Sequence, residues 1–344
     1  MKIKEFIDRH ERVKVIWEAL QKNSDEQFRK RVLGTDCLNI SVMENTNIDR
    51  KTGKSGILYQ IEMGTWGDGF FAEYKKLLNY LYFADFFQWK PCVHFSNQFT
   101  YAEDHPINGT ENPFEYFFEP IVKMDDANEY RYYVNSREVD WEFANRLKPV
   151  NGYDISEEYI QAMSEINQKY IKFNDITLRY LQSTDDLLGK NKVLGVHVRL
   201  TDFKQTFLGH PVCITAEEHL KYAVDAVKKY GFNKIFLATD DVSTVDLFRK
   251  EFGKNLLYYE DVTCSSGDVS VAFSDNVREN HHYKLALEVI RDMYTLSRCN
   301  GLIAGKSQVS ICAIIENRRN SPYEFLKIVD KGNNIGLSLI HISE

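Results

Sequence analysis

No CxxC pair occurs among the six cysteines, Cys37, Cys92, Cys213, Cys264, Cys299 and Cys312. The sequence therefore offers neither a zinc knuckle nor a dense disulfide framework, and scattered thiols of this kind belong to a reducing compartment. The opening residues, MKIKEFIDRHERVKVIWEAL, are charged throughout and hold no signal-peptide core. No apolar run reaches membrane-spanning length, so no transmembrane segment and a cytoplasmic location are expected. An excess of basic charge is missing too. The formal net charge is −7, a field that repels nucleic acid and anionic membrane, though a local basic patch and peripheral membrane contact stay open. Internal repeats and low-complexity tracts are absent, and neither half carries GxGxxG after its first strand, which argues against a dinucleotide-binding dehydrogenase.

What is present is ordinary globular material, with 43% hydrophobic and 27% charged residues. A length of 344 residues buries a sizeable core and favours two domains. Of the 20 Tyr and 22 Phe, nine and ten are concentrated between Tyr59 and Trp141, where they serve either as core filler or as platforms for sugar stacking. The tail GLSLIHISE, Gly336 to Glu344, breaks the preceding pattern and reads as non-native adaptor sequence, with a native C-terminal segment expected in its place.

Hydrophobic periodicity predicts helices within residues 3–33. A strand follows at Ile57 to Met63, then a glycine turn, a helix from about Phe70, and the strand PCVHFS. Strand, turn, helix, strand is the signature of a parallel sheet. Residues 96–150 read as loop-rich, and a single long helix is expected from about Ser156 to Leu181. Beyond it strands and helices alternate: strands at Lys192–Arg199, Lys234–Ala238, Leu256–Tyr259 and Gly301–Ala304, helices at Ala216–Lys229, Ser243–Phe252, Tyr283–Arg298 and Val309–Asn317. The second half is thus expected to be doubly wound α/β. The expected division is an N-terminal α/β domain over 1–185, a Rossmann-like domain over 186–335, and the tail 336–344.

Four segments could carry chemistry. In GVHVRLTDF, Gly195 to Phe203, His197 and Arg199 lie on one face of a buried strand, two residues apart and close to its carboxyl end. That end borders the ligand crevice of a parallel sheet, and Arg199 could fork onto a diphosphate there or simply pair with a carboxylate. In LATDD, Asp240 and Asp241 compete between metal ligation, ribose or base contacts, and capping of the next helix. No further carboxylate or histidine stands at a matching spacing for a metal. In DMYTLSRCNGLIAGKSQVS, Asp292 to Ser310, a helix, a strand and a second helix meet at Gly305-Lys306-Ser307-Gln308, where backbone N–H groups and the Ser307 hydroxyl suit an anion. A P-loop is excluded, because the position that needs its first glycine is Asn300. In MGTWGDGFF, Met63 to Phe71, Asp68 sits between Gly67 and Gly69 before Phe70, either as an exposed general base or as a helix cap.

Taken in order, these segments resemble the fucosyltransferase superfamily that includes core α1,6-fucosyltransferases, bacterial nodulation fucosyltransferases and protein O-fucosyltransferases. VHVRLTD resembles the His-Val-Arg-Arg-Thr/Gly-Asp signature, ATDD the second motif, and DMYTLSRCNGLIAGKSQVS the third; His210-Pro211 matches the His-Pro that follows the first. The likeness covers about Val193 to Ala313. GDGF, Gly67 to Phe70, resembles the Gly-Glu-Gly-Phe turn of the protein O-fucosyltransferases.

The resemblance implies a GT-B fold, two Rossmann-like doubly wound domains facing across a cleft, and an inverting, metal-independent transfer of fucose from GDP-fucose to a glycan hydroxyl, with no cofactor. It implies that Arg199 stabilises departing GDP with His197 beside it. Asp240 and Asp241 would lie at the nucleotide, Asp292 would orient Arg199 or the donor, and Ser307 and Gln308 would close the phosphate pocket. Asp68 is the favoured base, with Asp202 and His210 behind it, and Gly67, Gly69 and Phe70 fall on the acceptor side. Two positions depart from the pattern. Leu200 replaces the signature's second arginine, and the acid that α1,6 enzymes carry shortly afterwards has no counterpart in KQTFLG. Surface polysaccharide or lipopolysaccharide synthesis is the expected setting. Alternatives are another nucleotide sugar on the same fold, or a nucleotide- or glycan-binding homologue without catalysis.

Overall fold

The computed structural model describes residues 43–46, 48, 53–65, 67–136, 152–153, 155–200, 209–262, 278–320 and 322–334. The expected helices of residues 3–33, Asp202 and the tail 336–344 lie outside these. The chain divides into two compact units, Met1–Asn174 and Asp175–Glu344.

The first unit holds a four-stranded sheet in the order β1-β4-β2-β3. Its strands are β1 (Met43–Glu44), β2 (Lys54–Met63), β3 (Lys90–Phe95) and β4 (Tyr130–Asn135), joined by helix α1 (Phe70–Phe87) and the short α2 (Met124–Ala127). β2 runs parallel to both β3 and β4, while β1 pairs antiparallel with β4. β4 falls inside the stretch expected to be loop-rich. Its sequence, YRYYVN, shows no regular alternation of apolar and polar residues, so the pattern gave no strand signal. The aromatic excess is core filler: Phe95, Phe99, Phe114, Phe117 and Phe118 are all buried and pack on one another, mostly edge to face or tilted, and a second group gathers Tyr59, Phe83, Phe87 and Trp89.

The long helix expected over Ser156 to Leu181 is two helices, α3 (Glu157–Tyr170) and α4 (Asp175–Leu188). Ser156 caps α3 by accepting the Tyr159 N–H. The break follows from tertiary bonding that outweighs helix propensity. Ile171 turns extended, the backbones of Glu119 and Lys172 pair, and the Phe173 ring stacks on Phe118.

The second unit is a five-stranded, wholly parallel sheet in the order β7-β6-β5-β8-β9. Its strands are β5 (Val193–Val198), β6 (Lys234–Thr239), β7 (Leu256–Leu257), β8 (Gly301–Gly305) and β9 (Phe325–Val329). The intervening helices are α5 (Ala216–Tyr230), α6 (Val242–Phe252), α7 (His281–Arg298) and α8 (Gln308–Asn320). β5 and β8 are buried nearly end to end, as strands covered on both faces must be. A capping box between Thr215 and Glu218 starts α5, and Gly231 in the left-handed region ends it. The sheet passes close beneath its helices: a Cβ on Gly195 would meet the Leu296 side chain of α7 at 3.1 Å.

This order places the first strand of the unit, β5, beside its fourth, β8. Connections leave the sheet in opposite directions on either side of that pair, and the carboxyl ends of the two strands border the crevice such a reversal opens.

Candidate functional site

His197, Arg199, Ser307 and Asp240 converge at that crevice. His197 is the fifth residue of β5, buried to 6% exposure. Its Nδ1 lies 3.2 Å from the Ser307 hydroxyl at the carboxyl end of β8. Burial, then the charges of Arg199 and His219, push its imidazole down to about 3, so the ring is neutral at physiological pH.

Arg199 follows β5 directly and keeps 32% of its side chain exposed. Its Nη1 is 2.9 Å from Asp240 Oδ2, and Asp240 Oδ1 accepts the Leu200 N–H at 3.0 Å. One carboxylate at the end of β6 thus holds both the guanidinium and the backbone that carries it. Leu200, in place of a second arginine, belongs to the hydrophobic core of this unit.

Of the three roles open to the adjacent Asp241, capping is realised. Its Oδ2 accepts the Thr244 N–H at 2.8 Å and the Ser243 and Thr244 hydroxyls at 2.5 and 2.9 Å, at the start of α6.

Ser307 stands at the mouth of α8. Its hydroxyl accepts the Ser310 N–H at 3.1 Å, and its own N–H donates to Ser310 Oγ at 3.2 Å. Gln308 is the first residue of the helix. Lys306 is bound to Asp330 at 2.6 Å. A helix N-terminus, a guanidinium and an ammonium at one strand edge make a ready anion site.

Asp292 is partly exposed and sits mid-way along α7. Burial around its carboxyl, with Glu288 and Asp261 adding to it and Arg291 opposing, lifts its pKa to about 8. Among the described residues, no hydrogen bond or ion pair joins it to Arg199. His210 is exposed in a short segment bonded to residues 332–334.

In the first unit the glycine turn lies at the carboxyl end of β2. Gly67 N–H donates to the buried Thr100 hydroxyl at 2.9 Å. Gly69 occupies the cap position of α1 with no side-chain hydrogen bond, so Asp68 does not cap it. Asp68 is bound instead by Lys76 at 2.6 Å, and Lys76 also reaches Glu73 at 2.7 Å. Burial pulls Asp68 upward, but the bonds to Lys76 and Glu73 outweigh it and its pKa falls below the usual carboxylate value. Glu73 moves the other way: burial dominates and raises it. Phe70 is buried among Phe71, Phe99, Tyr101 and Phe117.

Beside this triad opens a cavity of about 850 Å³, lined by Glu62, Gly64, Glu73, Lys76, Tyr80 and Ser96 among others. Gly64, at φ 106°, is needed there, since a Cβ would lie 3.0 Å from Ser96 Oγ. Glu73 and, in the second unit, His219 are site residues that the sequence did not disclose. Glu73 sits in an aromatic helical run, and the Thr-Ala-Glu-Glu-His string announces only a helix start. Among the described residues no group of three His, Cys, Asp or Glu is set to hold a metal, and no helix is long and apolar enough to cross a membrane.

No family model and no curated protein matches the chain. Solved structures do. The NodZ α-1,6-fucosyltransferase soaked with GDP-fucose is 15% identical over 76% of this chain and 92% of that one, with a TM-score of 0.46. Fucosyltransferase NodZ from Bradyrhizobium gives 14%, 76%, 92% and 0.43. POFUT1 in complex with GDP-fucose gives 12% identity over 81% of this chain and 99% of that one, at 0.45.

Proposed function

We propose that the chain is a glycosyltransferase of the fucosyltransferase type, transferring a sugar from a nucleoside diphosphate, GDP-fucose by resemblance, to a glycan hydroxyl. The observation that carries the reading is the convergence of His197, Arg199, Asp240 and Ser307 at the β5–β8 crevice. Three separate motifs supply them, in the order the resemblance requires.

The chemistry follows from charge. As the bond between the anomeric carbon and the β-phosphate oxygen breaks, negative charge collects on the departing diphosphate. Arg199, aimed by Asp240, and the α8 N-terminus with Ser307 and Gln308 would stabilise that charge, the task a divalent ion performs in other transferases. Neutral His197 would add a hydrogen-bond donor without a cation of its own. The acceptor oxygen would attack from the opposite face and invert the anomeric carbon, giving its proton to a carboxylate. In this reading the first unit supplies the acceptor side, and Asp68 with its partner Glu73 supplies that carboxylate. Synthesis of a surface polysaccharide or lipopolysaccharide is the setting we favour.

Release of GDP from GDP-fucose in excess EDTA tests the proposal. Turnover that survives the chelator supports it; turnover that requires an added divalent ion counts against it. A second reading, a binding protein without catalysis, is motivated by the missing acid after the VHVRLTD signature. Thermal stabilisation by GDP with no GDP-fucose turnover under any acceptor would favour that reading.

A further inference from the structure

The floor of the β5–β8 crevice holds a cavity of about 10 Å³, room for a single water or a single ligand oxygen. His197, Arg199, Ile214, His219, Lys306 and Ser307 line it with two further residues. Arginine and lysine can only donate hydrogen bonds. The Ser307 hydroxyl and the two neutral imidazoles, His197 and His219, can also accept. His219 sits in the first turn of α5, 2% exposed, with Nδ1 2.9 Å from the Thr215 carbonyl oxygen. A carbonyl only accepts, so Nδ1 carries the hydrogen and Nε2 keeps its lone pair. That Nε2 is buried and, among the described residues, has no hydrogen-bond partner. Burial foremost, with Lys331 adding to it, lowers the pKa of His219 against the opposing pull of Thr215 and Glu218, so the ring stays neutral.

A buried acceptor without a donor is costly and calls for a ligand that brings one. We propose that this cavity is a hydroxyl-recognition subsite, in which one hydroxyl of the nucleotide sugar donates to His219 Nε2 while its oxygen accepts from Arg199 or His197. A phosphate oxygen does not suit the place, because it has no proton to give and would face the lone pair. His219 thereby becomes a specificity-determining residue. The inference rests on the nucleotide-sugar reading and refines it. The hydroxyl belongs either to the ribose or to the transferred sugar, and the ligands below separate the two.

The test is a cycle of titration calorimetry at pH 8, where the ring is neutral. Wild type, His219→Leu and His219→Gln would each be titrated with GDP, with GDP lacking its ribose 2′ or 3′ hydroxyl, with GDP-fucose, and with GDP-fucose deoxygenated at single sugar positions. One deoxy ligand is expected to bind wild type about tenfold more weakly than its parent, the worth of one net hydrogen bond. The same ligand should bind His219→Leu no more weakly than the parent does. His219→Gln, which retains an acceptor, should restore part of the discrimination and guards against a variant that folds poorly. Equal binding of every deoxy ligand to wild type would overturn the inference and mark the cavity as the seat of a fixed water. A penalty that persists undiminished in His219→Leu would overturn it as well. If wild type binds no GDP ligand at all, the nucleotide-sugar reading itself has failed.

Discussion

Arg199 and Asp240 form one device: Asp240 Oδ2 holds the guanidinium at 2.9 Å while Oδ1 accepts the Leu200 N–H at 3.0 Å. The carboxylate fixes both the direction of the side chain and the strand end from which it springs. Asp240→Ala removes both contacts, and Asp240→Asn keeps an acceptor for the N–H while dropping the ion pair. The alanine variant should lose about 1–2 kcal/mol of stability, the asparagine variant less than half of that, because a partly exposed ion pair contributes little beside a satisfied buried N–H. Urea denaturation at neutral pH measures both, and equal losses would contradict the double role.

Gly301 opens β8 where a Cβ would lie 2.6 Å from the Phe232 ring and 3.1 Å from the Phe325 carbonyl oxygen. Gly301→Ala is expected to cost about 1–3 kcal/mol through overpacking. A melting temperature unchanged from wild type would mean that the ring moves aside freely.

Lys76 is shared by Asp68 and Glu73. Without it Glu73 keeps a buried carboxylate and one N–H donor, Gly64 at 3.3 Å. The folded pKa of Glu73, already raised by burial, would rise further. A carboxyl whose folded pKa exceeds its unfolded value binds more protons when folded, so stability falls as pH climbs through that interval. Lys76→Met should therefore cost about 1–3 kcal/mol at pH 8 and close to nothing at pH 4. Denaturation midpoints at the two pH values decide it.

The same sign governs Asp292, whose folded pKa stands at about 8 against an ordinary value of 3.8. Wild type loses stability as pH rises across that range, because the unfolded chain releases the proton more readily. Asp292→Asn removes the titration. The variant's advantage over wild type should grow from about pH 4 to about pH 8 and level off on either side. A constant difference over that span would show that the carboxyl does not titrate in this window.

Much of this is legible in the sequence. Parallel strands covered on both faces read as continuous apolar runs, so β5, β6 and β8 and the residues at their carboxyl ends could be placed from sequence. Capping of α6 was among the roles open to Asp241 from the sequence. What escaped depended on contacts that the local pattern of residues does not signal. β4 gave no alternation, and the helix break at 171–174 is set by Phe118 and Glu119, some fifty residues upstream. Glu73 matters because its helix returns beneath Gly64, and the open nitrogen of His219 follows from a Thr215 carbonyl that any residue could have provided.

The central claim is that the Arg199 guanidinium stands in for a divalent ion beneath a diphosphate. Titration of GDP into wild type and Arg199→Ala in the presence of EDTA tests it most directly. The account predicts binding to wild type without added metal, and a loss of about tenfold to a hundredfold in the variant, with its circular dichroism and melting unchanged. Equal affinity of the two proteins for GDP, or binding by wild type only after a divalent ion is restored, would contradict it.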